Sequence, residues 1–199
     1  MSLIPVFEIG VWNAWIFWVL MVLSMILPDL FLSKEAKARK NRAAQWVPYD
    51  NKRDKILARS THMVIIPLSM IYSIFLPIKI GTAWFYVGVV ILITALVFSF
   101  MSIINFANTP VDKPVTSGVY RISRHPVYLS GFLLNLSIAM AAVSWIVLLL
   151  AIIWIVFFHM ATPSEESYLI DLYGDTYRDY LNRTPKWLGL PRSGKDLIE

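Results

Sequence analysis

Residues 127–161 read VYLSGFLLNLSIAMAAVSWIVLLLAIIWIVFFHMA, thirty-five consecutive positions without Lys, Arg, Asp or Glu. A single helix of that length would be a rod of roughly 50 Å, well over the ~30 Å hydrocarbon core of a bilayer. The stretch must therefore fold back on itself. A helical hairpin turning near Ala141 to Ser144 is expected, although no Gly or Pro marks the turn.

Three further apolar runs precede it. Val11 to Leu32 opens with Trp12 and Trp15 as interfacial anchors and closes near Pro28 and Asp29. His62 to Ile78 carries Pro67 and Pro77, and Trp84 to Ile104 has no charge at all. With the hairpin these runs predict an all-α integral membrane protein of five transmembrane helices, the last two paired. The whole chain of 199 residues reads as one multi-pass domain. Composition agrees: 57% of residues are hydrophobic and the mean hydropathy is +0.61, too apolar for an ordinary soluble domain. The first run has no basic segment before it and no small-residue cleavage site, so it is expected to be retained as a span.

Basic residues set the orientation. Nine lie in segment 33–61 (Lys34, Lys37, Arg39, Lys40, Arg42, Lys52, Arg53, Lys55, Arg59) and three in 105–126 (Lys113, Arg121, Arg124). Five follow the last span (Arg178, Arg183, Lys186, Arg192, Lys195). Five helices place these three segments on one side, seventeen positive charges against Lys79 alone on the other. The positive-inside rule makes the crowded side cytosolic, with the N-terminus outside and the C-terminus in the cytosol. Segment 33–61 reads as a basic loop, or one or two short surface helices, resting on anionic lipid heads.

The same distribution argues against nucleic acid, because the net charge of +5 flanks apolar segments instead of forming a basic stripe with interleaved aromatics. Cysteine is absent, which excludes disulfides, thiolate metal sites and a cysteine nucleophile; no metal is expected. Asp29, His62, Lys79 and His159 all sit at span ends, so the span centres carry no ionisable group. That weighs against a transporter or small exporter, which would place such groups along its path.

Two polar clusters remain, both on the cytosolic side. Thr116-Ser-Gly-Val-Tyr120-Arg-Ile-Ser-Arg124-His125-Pro126-Val-Tyr128 places a permissive Gly118 before a proline suited to the first turn of a helix. A helix beginning near His125 would present free N–H groups and a positive dipole end to an anion such as an amino-acid carboxylate. An ordinary interfacial helix start with snorkelling Arg and belt tyrosines would use the same residues. The second cluster is Glu165-Glu166, then Leu169, Gly174, Tyr177, Tyr180 and Thr184-Pro185. Its acidic pair, just after the last span, suits ribose hydroxyls or a cationic amine, and equally a salt bridge to Arg124 or Arg178.

Together, Thr-Ser-Gly-Val-Tyr, Arg-His-Pro-x-Tyr, a helical hairpin, Glu-Glu and a closing Thr-Pro resemble the isoprenylcysteine carboxyl methyltransferase family and its phospholipid-methyltransferase relatives. The pattern spans about Asp112 to Pro185. The resemblance implies S-adenosylmethionine bound at the cytosolic face by the last two helices and the tail, making residues 112–187 the cofactor-binding and catalytic region. On that resemblance Tyr120, His125, Pro126, Val127, Tyr128 and Glu165 contact the cofactor. Asp112, Lys113, Pro114 and Val115 help cover it, with Leu129 and Glu166 as neighbours. It also implies a lipid or lipidated acceptor drawn from the bilayer.

The pattern departs from the family in one place. Eukaryotic members carry arginines just before the acidic pair, whereas Phe157-Phe-His159-Met-Ala161-Thr-Pro163-Ser offers only His159. The acceptor therefore stays open between a prenylated or other lipidated carboxylate and the amine of phosphatidylethanolamine, for which His159 or a glutamate would serve as base. A non-enzymatic membrane scaffold is the reading from another class, and a sterol-reductase-like enzyme a more distant one.

Overall fold

A computed structural model describes residues 8–43 and 52–191. Part of the basic segment (residues 44–51) and Arg192 and Lys195 of the tail lie outside the described residues. The described chain is helical throughout: α1 (Trp15–Ile26, extended by a 3-10 turn over Leu27–Leu30), α2 (Lys34–Ala43), α3 (Lys52–Ser60), α4 (Ile66–Ile74), α5 (Ala83–Asn108), α6 (Pro126–Ala141), α7 (Trp145–Tyr173) and α8 (Asp175–Arg183). No strand occurs among the described residues beyond one isolated bridge between Asn13 and Pro77.

Three helices are long and apolar enough to cross a membrane: Lys52–Ile74, Ala83–Asn108 and Trp145–Tyr173. Two apolar helices are shorter, Trp15–Leu30 and Pro126–Ala141. At 16 residues the second is about 24 Å long, some 6 Å under the hydrocarbon thickness. Val90, Ile93 and Val97 on α5 and Leu149, Ile152 and Val156 on α7 are exposed, an apolar surface that lipid tolerates and water does not.

The second apolar run begins earlier than its hydropathy suggests. Its helix starts at Lys52, ten residues before His62, because Lys, Arg, Leu and Ala favour helix and nothing between 52 and 60 stops it. Pro67 leaves its mark within the element. It has no N–H and its ring crowds the carbonyl four residues back. The chain answers with a π turn over Thr61–Ile65, where the Ile66 N–H donates to the Thr61 carbonyl.

The hairpin turns at Ala142–Ser144. Ala142 ends α6, Val143 takes a positive φ of 54°, and the Ser144 hydroxyl accepts from the Val147 N–H to start α7. Close approach of α6 and α7 depends on Gly131, where a Cβ would sit 2.2 Å from the Trp154 ring. Trp154 Nε1 in turn donates to the Tyr128 carbonyl at 2.9 Å. Asn135, wholly buried, joins α6 to α4 by accepting from the Ser69 hydroxyl. Small residues and interhelical hydrogen bonds of this kind hold helices together in lipid, where apolar burial alone gives little drive.

Segment ends gather at two poles. At one, the Ala14 N–H donates to Leu76, the Ile78 N–H to Trp12 and the Lys79 N–H to Ala141. At the other, Arg39 Nε donates to the Ala107 carbonyl, the Ser164 hydroxyl to Asp54, and the Val119 N–H to Asn105 Oδ1. The core between them divides in two. Phe17, Trp18, Leu92, Leu134, Ile138 and Val147 fill the first pole's half. Ile65, Leu150, Trp154 and Phe158 fill the second, with Tyr128 and Trp187 leaning on them from the site described next.

Candidate active site at the start of α6 and the end of α7

Gly118 begins the construction. Its φ is 61°, and a Cβ there would meet the Asn105 side chain at 2.1 Å, so only glycine lets the chain pass close to α5. The Asn105 oxygen then accepts from the Val119 N–H and fixes the 3-10 turn Gly118–Arg121. Pro126 opens α6 as its first residue, so the N–H it lacks is one the helix could not have bonded. The Leu129 N–H closes the first turn onto the His125 carbonyl, and the His125 N–H donates to the Ser123 hydroxyl. The N–H groups of Val127 and Tyr128 have no carbonyl partner within the helix.

From the other side comes α7, and here the structure corrects an expectation. Glu165 and Glu166 do not follow the last apolar helix; they lie within it, since α7 runs on through Pro163 to Tyr173. Glutamate favours helix, and the proline removes only one hydrogen bond, the one the His159 carbonyl would have accepted. The Lys186 ammonium supplies that carbonyl with a donor at 3.1 Å.

These two elements meet. His125 Nε2 lies 2.9 Å from Glu166 Oε1, and the Tyr128 hydroxyl donates to Glu165 Oε2 at 3.0 Å. Arg124 Nη1 reaches Glu166 Oε1 at 3.4 Å, and His125 Nδ1 lies 3.9 Å from Glu165 Oε2. The carboxylates are only 15–17% exposed, so these pairings are screened less than surface ones. Aromatic rings back the polar cluster. Tyr128 stacks between His125 (centroids 5.7 Å, 16°) and Phe158 (4.0 Å, 14°). Phe158 and Glu165 are seven residues apart and so share a face of α7.

The tail closes over the start of α6. The Arg124 N–H donates to Pro185 and the Gly189 N–H to Ile122. This brings the Trp187 ring to 6.0 Å from His125, and its indole N–H donates to His159 Nδ1 at 3.2 Å. The Tyr180 hydroxyl donates to the Tyr120 carbonyl at 2.7 Å and ties α8 to the 3-10 turn. Two buried polar atoms beside the cluster have no partner among the described residues, Arg124 Nε and the Thr162 hydroxyl. Among the described residues no group of three His, Asp or Glu is placed to hold a metal ion.

The structure brings together Tyr120, His125, Pro126, Tyr128, Leu129, Glu165 and Glu166. Val127 is exposed on the opposite face of the helix. Asp112, Lys113, Pro114 and Val115 are not brought to these side chains; their stretch lies against the far end of α7, where the Tyr173 hydroxyl donates to the Val111 carbonyl. Of the two salt-bridge partners weighed for the acidic pair, Arg124 makes the contact, while Arg178 pairs with Asp175 in solvent. Sequence reading missed Phe158, Lys186 and Trp187. The one signal for the last two was their place directly after Thr184-Pro185.

The described molecule is therefore an all-helical membrane protein with a polar, aromatic-backed site where the start of α6 packs against the polar part of α7. A family model for phospholipid methyltransferases matches residues 77–176, just over half the chain and both halves of that site; the chain belongs to this family. It is 36% identical over 100 residues to protein-S-isoprenylcysteine O-methyltransferase B of Arabidopsis thaliana, covering 47% of each chain. It is 33% identical over 78 residues to protein-S-isoprenylcysteine O-methyltransferase of Schizosaccharomyces pombe, covering 39% of this chain and 32% of that one. The enzyme of the same name from Dictyostelium discoideum is 33% identical over 79 residues, with the same shares. The chain thus spans about a third to about half of the length of the curated relatives it matches. The resemblance read from the two motifs is borne out.

Burial pushes the hydroxyls of Tyr120, Tyr177 and Tyr180 well above the ordinary tyrosine range, with the charge of Glu165 adding to the effect at Tyr120. Unfolded tyrosines ionise near pH 10. Below that pH both states are protonated; above it only the unfolded state gains by ionising, so stability falls as pH rises. In an alkaline titration followed by tyrosinate absorbance, these three are expected to ionise only as helical circular dichroism is lost. Reversible ionisation of every tyrosine with the helical signal intact would contradict this.

Proposed function

We propose that the protein transfers a methyl group from S-adenosylmethionine to the carboxylate of a prenylated cysteine or a similar lipidated acid. One observation carries the reading: the Arg-His-Pro-x-Tyr start of α6 meets Glu165 and Glu166 of α7, with His125 2.9 Å from Glu166 and Tyr128 3.0 Å from Glu165.

The residues present fit the donor. It has an ammonium and ribose hydroxyls to give to carboxylates, a carboxylate to receive donors, and a base to lie on rings. Each glutamate keeps lone pairs beyond those already used. Arg124 Nε, buried without a partner among the described residues, and the free N–H groups at the start of α6 suit the donor's carboxylate. Tyr120, Pro126 and Leu129 supply surfaces for packing, Tyr128 the edge of a ring whose faces His125 and Phe158 already cover, and residues 112–115 a cover, so that 112–187 form the cofactor-binding and catalytic region. When bound, the sulfonium supplies an electrophilic methyl group. The protein's own task is then to align the acceptor and keep water out.

Two features favour a carboxylate acceptor over an amine. An amine must first lose a proton, yet His159 Nδ1 already accepts from the Trp187 indole, and both glutamates are engaged by Tyr128, His125 and Arg124. Charge balance points the same way. Glu165 and Glu166 offset Arg124 and Lys186, and a singly positive donor is neutralised by a singly negative acceptor. The assay offers labelled S-adenosylmethionine with farnesylated cysteine or with phosphatidylethanolamine, alongside calorimetry with S-adenosylhomocysteine. Binding of the homocysteine and label on the farnesylated acid are expected. Label on the amine alone would overturn the acceptor, and no binding at high protein concentration would overturn the enzyme.

We also propose that all five apolar segments span the bilayer, with the N-terminus outside and the site on the cytosolic face. The two poles support this: Lys79 lies at one, while Arg39, Arg124 and Lys186 lie at the other. The chain has no cysteine of its own, so single cysteines report topology cleanly. In sealed cells, a thiol at Gly81→Cys should react with an impermeant reagent, and one at Lys113→Cys only after permeabilisation. The reverse pattern would overturn the orientation.

A further inference from the structure

We propose that Lys186 is the residue that grips the carboxylate of the lipid-borne acceptor. This assignment rests on the methyltransferase reading above and deepens it; Lys186 lies beyond the stretch matched by the family model. The ammonium is partly buried, and among the described residues it has no carboxylate within ion-pair distance. Burial lowers its pKa, and the neighbouring Arg124 charge adds to this while Glu166 offsets it only in part.

Its position is fixed. Pro163 leaves the His159 carbonyl without a helical donor, and Lys186 Nζ takes that role at 3.1 Å. The next residue, Trp187, anchors to the same histidine through its indole N–H. One of the three ammonium donors is thereby used and two remain for a ligand.

Location separates acceptor from donor. His159 precedes Glu165 by six residues, so the carbonyl that holds the ammonium lies on the apolar side of the glutamates along α7, near enough for the Glu166 charge to be felt. A head group tethered to a chain in the bilayer arrives from that direction, whereas a soluble donor arrives at the glutamates from water. Arg124 is paired with Glu166 at 3.4 Å and its Nε is assigned to the donor's carboxylate, which leaves Lys186, among the described cations at the site, to take a second anion.

The test uses the full-length protein in a neutral detergent, so that no anionic lipid competes. Methylation of N-acetyl-farnesylcysteine and calorimetric binding of S-adenosylhomocysteine are measured for wild type, Lys186→Met and Lys186→Arg. Lys186→Met should raise the acceptor KM at least about tenfold, with S-adenosylhomocysteine affinity retained as proof of folding, and Lys186→Arg should restore most of the loss. An unchanged acceptor KM in Lys186→Met overturns the assignment. So does a loss of S-adenosylhomocysteine affinity, which would put the lysine on the donor's side. If wild type binds S-adenosylhomocysteine but leaves farnesylcysteine unmethylated, the acceptor reading fails and takes the assignment with it, an outcome distinct from a defect confined to the variant.

Discussion

Two acidic side chains on a continuous helix need partners, and the start of α6 supplies them. Glu165 and Glu166 sit on the last turns of α7, where the helix leaves its apolar part, and neither is free in solvent. Removing one member of so enclosed a set would strand charge of the opposite sign. The His125–Glu166 and Tyr128–Glu165 contacts therefore do more than join two helices. They fix the histidine ring against Tyr128 and hold α6 at the distance Gly131 allows. Beside them Arg124 Nε is buried without a partner among the described residues.

Around this clasp the chain adds elements that close it. The tail pairs with residues 122–124 and lowers Trp187 beside His125, while Tyr180 secures the turn that carries Tyr120. Ser164, one residue before the acidic pair, is tied to the buried Asp54 of α3. The helix that begins at Lys52 is thereby joined to the site through α7. The carboxylates are thus held from both helices, with Phe158 and Trp154 on the side of the apolar part of α7 and the polar groups toward the start of α6. Such an arrangement suits a reaction between a water-soluble donor and an acceptor that stays in lipid.

Much of this was legible in the residues. Thirty-five apolar positions cannot form one span, and the fold-back falls where that length required it, even though Val143 in place of glycine gave no local signal. Pro126 marked the start of α6 because proline at a first helical position is a local, chain-independent preference. Other features were invisible for equally physical reasons. Hydropathy averages over a window, so it could not show that a charged stretch from Lys52 continues into the apolar α4. A proline normally argues for a boundary, and Pro163 concealed the continuation of α7, because its cost is met by a lysine twenty-three residues away in sequence. Lys186 and Trp187 carry no motif of their own; only the folded tail reveals what they touch.

The central claim is that His125 and Glu166 act as one unit in holding the donor, and a double-mutant cycle measures that directly. S-adenosylhomocysteine affinity is determined by calorimetry for wild type, His125→Ala, Glu166→Gln and the double variant. The account predicts strong non-additivity, with a coupling above about 1 kcal/mol, as for residues in one hydrogen-bonded network. Additive losses, or full affinity in either single variant, would contradict it.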